Sequence, residues 1–149
     1  MRAVVQRVSE AKVEVGGEIV GRAERGILIY VGVGSGDGEE DAVWLAEKTA
    51  SLRIFDDSSG AMNFSVVETG GSALVISQFT LLADARKGRR PSYSEAAPPD
   101  LARPLFESFV SRLRLLVPRV ETGVFQAEMR VTYVNEGPVT ILLDSKKTF

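Results

Sequence analysis

The chain of 149 residues contains neither cysteine nor histidine. Without cysteine there is no disulfide, no thiolate nucleophile and no cysteine-ligated zinc or iron–sulfur cluster. Without histidine there is no Ser-His-Asp triad, no imidazole base and no histidine-ligated metal. Carboxylates remain as metal ligands, but we expect no metal and no cofactor. Any catalysis must therefore use carboxylates, hydroxyls, amides, backbone groups or the substrate itself.

Long apolar runs and a strong net charge are also missing. No stretch approaches the roughly 18 apolar residues of a membrane span, and residues 1–7 lack the apolar region of a secretory leader. The formal net charge is −2, which argues against a wholly basic nucleic-acid binder but leaves room for local phosphate-binding patches. We expect a cytoplasmic protein without a membrane partner, and the length predicts one domain over residues 1–149.

Hydrophobic patterning predicts more strands than helices. Strand-like residues 3–15 are followed by Gly16-Gly17, which favours a tight hairpin turn. Apolar residues recur three and four positions apart over residues 39–53 and again from near Leu101, which predicts two helices. Further strands are expected at residues 26–33, 72–82, 129–134 and 139–143, with a turn at residues 135–138. The sum is a compact, β-rich α+β domain with curled antiparallel or mixed sheets, barrel-like, and two main helices.

The first candidate site is Ser77-Gln78-Phe79-Thr80, where a buried strand meets polar groups. The end of such a strand is a rigid platform for them. Gln78 is able to donate to a developing oxyanion, Phe79 to stack on a base, and Thr80 to act as a nucleophile or orient a water. The competing interpretation, which the residue spacing alone favours, is the ordinary polar end of a core strand.

The second candidate is Gly137-Pro138, within Asn135-Glu136-Gly137-Pro138-Val139-Thr140. A cis Gly-Pro bond would fix the direction of neighbouring carbonyl oxygens, which are acceptors suited to a substrate ammonium group. A plain hairpin turn with trans proline is the simpler interpretation.

The third candidate is a run of cations in a predicted loop. It comprises Arg86, Lys87, Arg89 and Arg90, with Gly88 among them and Tyr93 close behind. Such a cluster suits salt-sensitive phosphate contacts, although basic runs are often only solvated surface.

Taken together, these motifs resemble the D-aminoacyl-tRNA deacylase family, also called the D-tyrosyl-tRNA deacylase family. The resemblance covers essentially the whole chain. It includes Gln6-Arg7-Val8, Arg53-Ile54-Phe55 and Met62-Asn63, together with the two longer motifs above. Two signatures in the right order and at the right separation are far more specific than either alone.

The resemblance implies a homodimeric hydrolase that cleaves the ester between a D-amino acid and the 3′ end of tRNA, and also removes glycine mischarged onto tRNA. It implies that the Gly137-Pro138 bond is cis and enters the pocket of the other subunit. There its carbonyls would engage the substrate ammonium, and an L side chain would meet the backbone wall. We expect Gln78, Thr80, Gly137 and Pro138 to carry catalysis. The expected substrate-binding residues are Ser77, Phe79, Met62, Asn63, Phe125 and Arg7, and the expected tRNA-binding residues are Arg86, Lys87, Arg89 and Arg90.

The absence of histidine limits the possible reactions, because no imidazole is available to activate the hydroxyl of Thr80. We therefore favour a route in which the terminal ribose 2′-hydroxyl of the substrate helps to activate water. Two other functions remain open: a non-catalytic nucleic-acid-binding module that uses the basic loop, and a small-molecule esterase with no RNA partner.

Overall fold

The computed structural model describes residues 1–149 and combines a curled, mixed β-sheet with two α-helices, as the sequence predicts. The strands are β1 (Arg2–Val15), β2 (Glu18–Ala23), β3 (Gly26–Gly32), β4 (Phe55–Asp56), β5 (Met62–Phe64), β6 (Ser72–Ser77), β7 (Arg119–Thr122) and β8 (Arg130–Asp144). The helices are α1 (Glu39–Ser51) and α2 (Pro99–Arg114). Neither helix is long and apolar enough to cross a membrane.

The main sheet has six strands and nearly closes on itself. Its order is β2-β1-β3-β6-β7, and β8 also pairs with β1. Strand β1 is antiparallel to β2, β3 and β8, whereas β6 is parallel to both β3 and β7. The outer strands β2 and β7 meet where the amide of Arg22 donates to the carboxylate of Glu121 at 2.7 Å. This contact brings the sheet close to a barrel, and the predicted α+β class is confirmed.

Apolar residues pack on both faces of the curled sheet. The helices cover one face and bury large side chains there, among them Leu45, Phe55, Phe109 and Leu113. Seven small and medium apolar residues fill the inside of the curl: Val8, Ala11, Val13, Ala23, Leu28, Leu74 and Ile76. Two cores on opposite faces explain why β3 and β6 are buried along almost their whole length.

The predicted hairpin at Gly16-Gly17 is confirmed, because both residues have positive φ, at 59° and 87°, and join β1 to β2. The predicted strand over residues 72–82 is too long. Strand β6 stops at Ser77, and a single 3₁₀ turn follows from Phe79 to Leu82. The apolar residues at the end of the run reach the core through this turn, where Leu82 is buried against Gly32.

The predicted turn at residues 135–138 does not join two neighbouring strands. Strand β8 runs continuously along β1, pairing Val8 with Asn135 and Gln6 with Thr140. Between those pairs only Arg7 lies on β1, whereas residues 136–139 lie on β8. The surplus residues leave the ladder as a bulge. Both halves of β8 find partners on one long strand, so a hairpin is not needed.

Candidate active site

An open cavity of about 620 Å³ lies beside the end of β6, the start of α2 and the segment before β8. Eleven of its fifteen lining residues are hydrophobic. Four of the predicted site residues line it, namely Ser77, Gln78, Phe79 and Phe125. None of the fifteen side chains is ionisable, so the wall of this cavity supplies hydrogen bonds and apolar surface but no acid or base.

The β6 terminus holds the polar residues in place. The amide of Gln78 donates to the carbonyl of Val31 at 2.8 Å, which continues the pairing to β3 by one residue before the chain turns. The Gln78 side-chain amide then donates to the hydroxyl of Thr80. Thr80 itself is not among the cavity-lining residues. An amide does not accept a proton as a base does, so this contact orients the Thr80 hydroxyl without activating it.

Aromatic rings stand on two sides of the cavity. Phe79 is 58% exposed and meets Tyr93 edge to face, with ring centroids 5.2 Å apart. On the other side, Phe125 packs against Phe106 at 5.9 Å and carries the Arg103 guanidinium 4.7 Å from its ring centroid. The sequence pattern around Phe125 does not indicate a site, and Phe106 lies in the apolar pattern of α2, which is typical of a core residue. The two rings form one wall of the cavity because the fold brings these distant residues into contact.

Arg7 and Gly137-Pro138 form a second cluster, at the bulge between β1 and β8. The Gly137-Pro138 bond is cis, and both residues are exposed. The buried Arg7 guanidinium donates to the carbonyls of Ile54 at 2.7 Å and Glu136 at 3.3 Å, and pairs with Asp56 at 3.2 Å. A Cβ on Gly137 would lie 3.0 Å from Arg7 Nη2, and its φ of +118° also favours glycine. Arg7 thus supports the bulge from beneath.

Asn135 fastens the two sides of this bulge. Its side-chain amide donates to the carbonyls of Arg7 and Val139, each at 3.0 Å. Neither the bulge nor Arg7 lines the cavity of the same chain. The structure therefore separates Arg7, Gly137 and Pro138 from the cluster around Gln78.

Met62 and Asn63 lie on β5 in the small β4–β5 hairpin, away from the cavity lining. Both are exposed, and the Asn63 side chain donates to Asp57 at 3.4 Å. Like Thr80, these two residues do not line the cavity within one chain.

The predicted basic loop is an exposed excursion between Asp84 and Ser92, which exchange two backbone hydrogen bonds of 2.8 Å. Arg86 folds back onto Asp84, with contacts of 2.8 and 2.7 Å. These hydrogen bonds hold the pKa of the Asp84 carboxyl well below its usual range. Lys87, Arg89 and Arg90 point into solvent without an ion pair. No group of three or more carboxylates is placed to hold a metal ion.

Comparison with known proteins agrees with these features. The family model described as D-Tyr-tRNA(Tyr) deacylase matches residues 4–144. The D-aminoacyl-tRNA deacylase of Thermosipho africanus is 58% identical over 149 residues, covering all of both chains. That of Roseiflexus sp. is 61% identical over 145 residues, covering 97% of this chain and 94% of its own.

Two solved structures share the fold. One, described as the c-Myc DNA Unwinding Element Binding Protein, has a TM-score of 0.92 and 37% identity, over 97% of this chain and 98% of that one. The other, described as a probable eukaryotic D-amino acid tRNA deacylase, has a TM-score of 0.82 at 18% identity, over 95% and 97% of the two chains, and supports the fold alone. With a family model spanning nearly its whole length and full-length relatives above 55% identity, the chain belongs to the D-Tyr-tRNA(Tyr) deacylase family.

Proposed function

We propose that this protein hydrolyses the ester bond of D-aminoacyl-tRNA, and of glycine mischarged onto tRNA, to release the free amino acid and tRNA. The names of its full-length relatives support this activity. The observation that carries it is the apolar cavity with Ser77, Gln78 and Phe79 at the end of a rigid strand. We also propose that residues 1–149 work as one domain, in the cytoplasm.

The aminoacylated 3′ terminus enters this cavity, with its ester next to Gln78. The Gln78 amide, or backbone N–H groups of the turn, then stabilise the oxyanion of the tetrahedral intermediate. Because no ionisable side chain lines the cavity, the substrate's own 2′-hydroxyl helps to activate the attacking water. Thr80 shapes the turn through its contact with Gln78. Ser77, Phe79 and Phe125 bound the acyl and nucleoside groups.

Chiral selection is assigned to Gly137 and Pro138 of a second subunit. Both residues are exposed at a bulge, and neither lines the cavity of its own chain, which supports a homodimer with a site shared across subunits. Their carbonyls accept hydrogen bonds from the substrate ammonium. A D side chain then points to open space, whereas an L side chain meets main chain. Exclusion by clash works for any side chain and lets glycine pass.

Contacts outside the cavity complete the proposed site. Arg7 supports Gly137-Pro138, and we assign Met62 and Asn63, which are exposed on the β4–β5 hairpin, to substrate contacts across the dimer. Lys87, Arg89 and Arg90 bind tRNA phosphates, and Arg86 contributes less because Asp84 already holds its guanidinium. The ring contact between Phe79 and Tyr93 connects this loop to the cavity.

The decisive experiment compares deacylation of matched D- and L-tyrosyl-tRNA by the purified protein. We expect release of D-tyrosine and glycine and little release of L-tyrosine; equal rates for both hands would refute the chiral assignment. Substrate lacking the terminal 2′-hydroxyl should react far more slowly, and full activity on it would exclude substrate assistance. Thr80→Ala should retain measurable turnover, because Thr80 only shapes the turn. Complete loss of turnover would instead favour threonine as the nucleophile.

A second candidate is a nucleic-acid-binding module without catalysis. It is favoured by the exposed basic loop and by the 37% identical structure described as a DNA unwinding element binding protein. This alternative predicts binding to nucleic acid without release of amino acid, so the same assay separates the two functions.

A further inference from the structure

A second cleft of about 400 Å³ adjoins the cavity on its α2 side. The two spaces share the rings of Phe106 and Phe125 as a common wall. Most of the cleft lining is polar, in contrast to the cavity. A ligand whose end occupies the cavity and whose body passes these rings therefore enters the cleft.

The cleft is lined along α2 by a row of polar side chains. Arg103, Glu107, Ser111 and Arg114 follow one another at spacings of four, four and three residues, which places them on one face of the helix. At 1.5 Å per residue, the two arginines are separated by about 16 Å along the helix axis. The row is thus long enough for a strand rather than for a single phosphate.

The guanidinium groups of Arg103 and Arg114 are free to bind an anionic ligand. Both are exposed, and neither takes part in an ion pair, whereas the intervening Arg112 pairs with Glu47 of α1. Between them, Glu107 is suited to accept hydrogen bonds from ribose hydroxyls or base amino groups, and the Ser111 hydroxyl both donates and accepts. Cations at the ends and neutral or anionic acceptors between them match the alternation of phosphate and nucleoside.

Arg103 stands at the junction of the two spaces. Its guanidinium lies over the Phe125 ring and donates to the Gln126 side-chain oxygen at 3.3 Å, and Gln126 also lines the cavity. A guanidinium stacked on a ring keeps donors at its edge for a phosphate. Aromatic surface next to cations is typical of sites for single-stranded nucleic acid.

We propose that this cleft binds the unpaired nucleotides that precede the terminal, aminoacylated nucleotide of tRNA, with Arg103 and Arg114 on their phosphates. The inference rests on the proposed function, since it assumes that the terminal nucleotide occupies the cavity. It gives the molecule two separate RNA contacts, the basic loop beyond Phe79 and the cleft beyond Phe125.

The test uses Arg114→Ala, because Arg114 lines the cleft and not the cavity. Deacylation of D-tyrosyl-tRNA is compared with that of D-tyrosyl-adenosine, which has no phosphodiester. We expect the ratio of kcat/KM for the two substrates to fall about three- to tenfold, mainly through KM of the tRNA. The slope of log KM against log salt should decrease by about 0.7 for one lost phosphate contact on a single strand. Arg114→Lys should recover part of the loss, and Lys48→Ala on α1 removes one exposed cation as a matched control.

An unchanged ratio in Arg114→Ala, or a ratio that falls equally in the Lys48→Ala control, would overturn the proposal. Binding of uncharged tRNA keeps the test independent of catalysis. Wild-type protein should bind tRNA that lacks only its terminal nucleotide more tightly than tRNA that lacks its last three nucleotides, and Arg114→Ala should lose that preference. If the preference is present but D-tyrosyl-tRNA is not hydrolysed, the proposed function fails while the cleft assignment stands.

Discussion

Replacing Gly32 by alanine tests whether the turn after β6 must be held where it is. Gly32 ends β3, beside the turn that carries Gln78, Phe79 and Thr80. A Cβ added to Gly32 would lie 2.8 Å from the Gln78 carbonyl oxygen, 2.6 Å from Leu82 Cδ2 and 3.1 Å from Leu81 Cβ. Real Cβ atoms essentially never approach another atom below 3.0 Å, so the turn must move away by about half an ångström.

The displacement affects both stability and activity. Crowding of this kind in a packed core typically costs about 1–3 kcal/mol, which corresponds to a fall in Tm of about 3–10 °C for a chain of this size. The Leu82 side chain can rotate, but the Gln78 carbonyl belongs to the main chain. A shift of this carbonyl therefore also displaces the Gln78 side chain. A misplacement of about 1 Å can reduce a rate by about a hundredfold, so we expect kcat for D-tyrosyl-tRNA to fall about tenfold or more.

Thermal unfolding and single-turnover deacylation check this expectation. Gly36→Ala is the matched control, because a Cβ there meets nothing within 4 Å, and it should behave like wild type in both assays. A Gly32→Ala protein with wild-type Tm and wild-type kcat would refute the reasoning that links β3 to the site. Loss of stability with full activity would show that the position of Gln78 does not matter for the reaction.

Four further outcomes are expected. Asn135→Ala removes two hydrogen bonds that close the bulge and should lower the free energy of unfolding by about 1–2 kcal/mol, while lowering the ratio of D- to L-tyrosyl-tRNA hydrolysis; an unchanged ratio would contradict its role. Burial of Asp41 works to raise its pKa, but hydrogen bonds from Lys146, Ser145 and the Gly38 amide outweigh it and lower the pKa to about 2. Its carboxylate therefore stabilises the fold above about pH 4, by up to about 2 kcal/mol, and that stability is lost as the pH falls toward 2; chemical denaturation of wild type and Asp41→Asn across this range should converge at low pH. Because no ionisable side chain lines the cavity, kcat should show no bell-shaped dependence between pH 5 and 8, and two protein-derived inflections there would argue for a general acid and base. Replacing Lys87, Arg89 and Arg90 together by alanine should weaken tRNA binding in filter assays, with a shallower salt dependence, whereas Arg86→Ala should change it less.

The sequence predicts the elements of this fold better than their ends. Periodicity identifies α1, α2, the first hairpin and the buried strands, because each pattern is local. It overextends β6, because apolar residues at 81 and 82 look alike whether they enter the core by a strand or by a turn. It divides β8 at Gly137-Pro138, because a local pattern does not reveal that β1 is long enough to pair with both halves.

The residues of the candidate site also differ in whether a local sequence pattern predicts them. Ser77, Gln78 and Phe79 follow directly from a buried strand that ends in polar residues, and the structure brings them to one cavity. Phe106, Met129 and Val131 also line it, but their signals are those of ordinary core residues. The partnership of Arg7 with Glu136 joins residues 129 positions apart, and nothing in either residue's neighbourhood announces it. A single sequence does not show which distant segments of the chain come together in space.

The long pairing of β1 with β8 has a consequence for biogenesis. The first strand of the chain finds its longest partner in the last one, so the sheet lacks that neighbour while most of the polypeptide is still being synthesised. Pairing over such a separation is slow, and unpaired strand edges in nascent chains are prone to aggregate. On the ribosome, synthesis of β8 at residues 130–144 therefore decides whether β1 becomes part of a finished sheet or remains exposed to other nascent proteins.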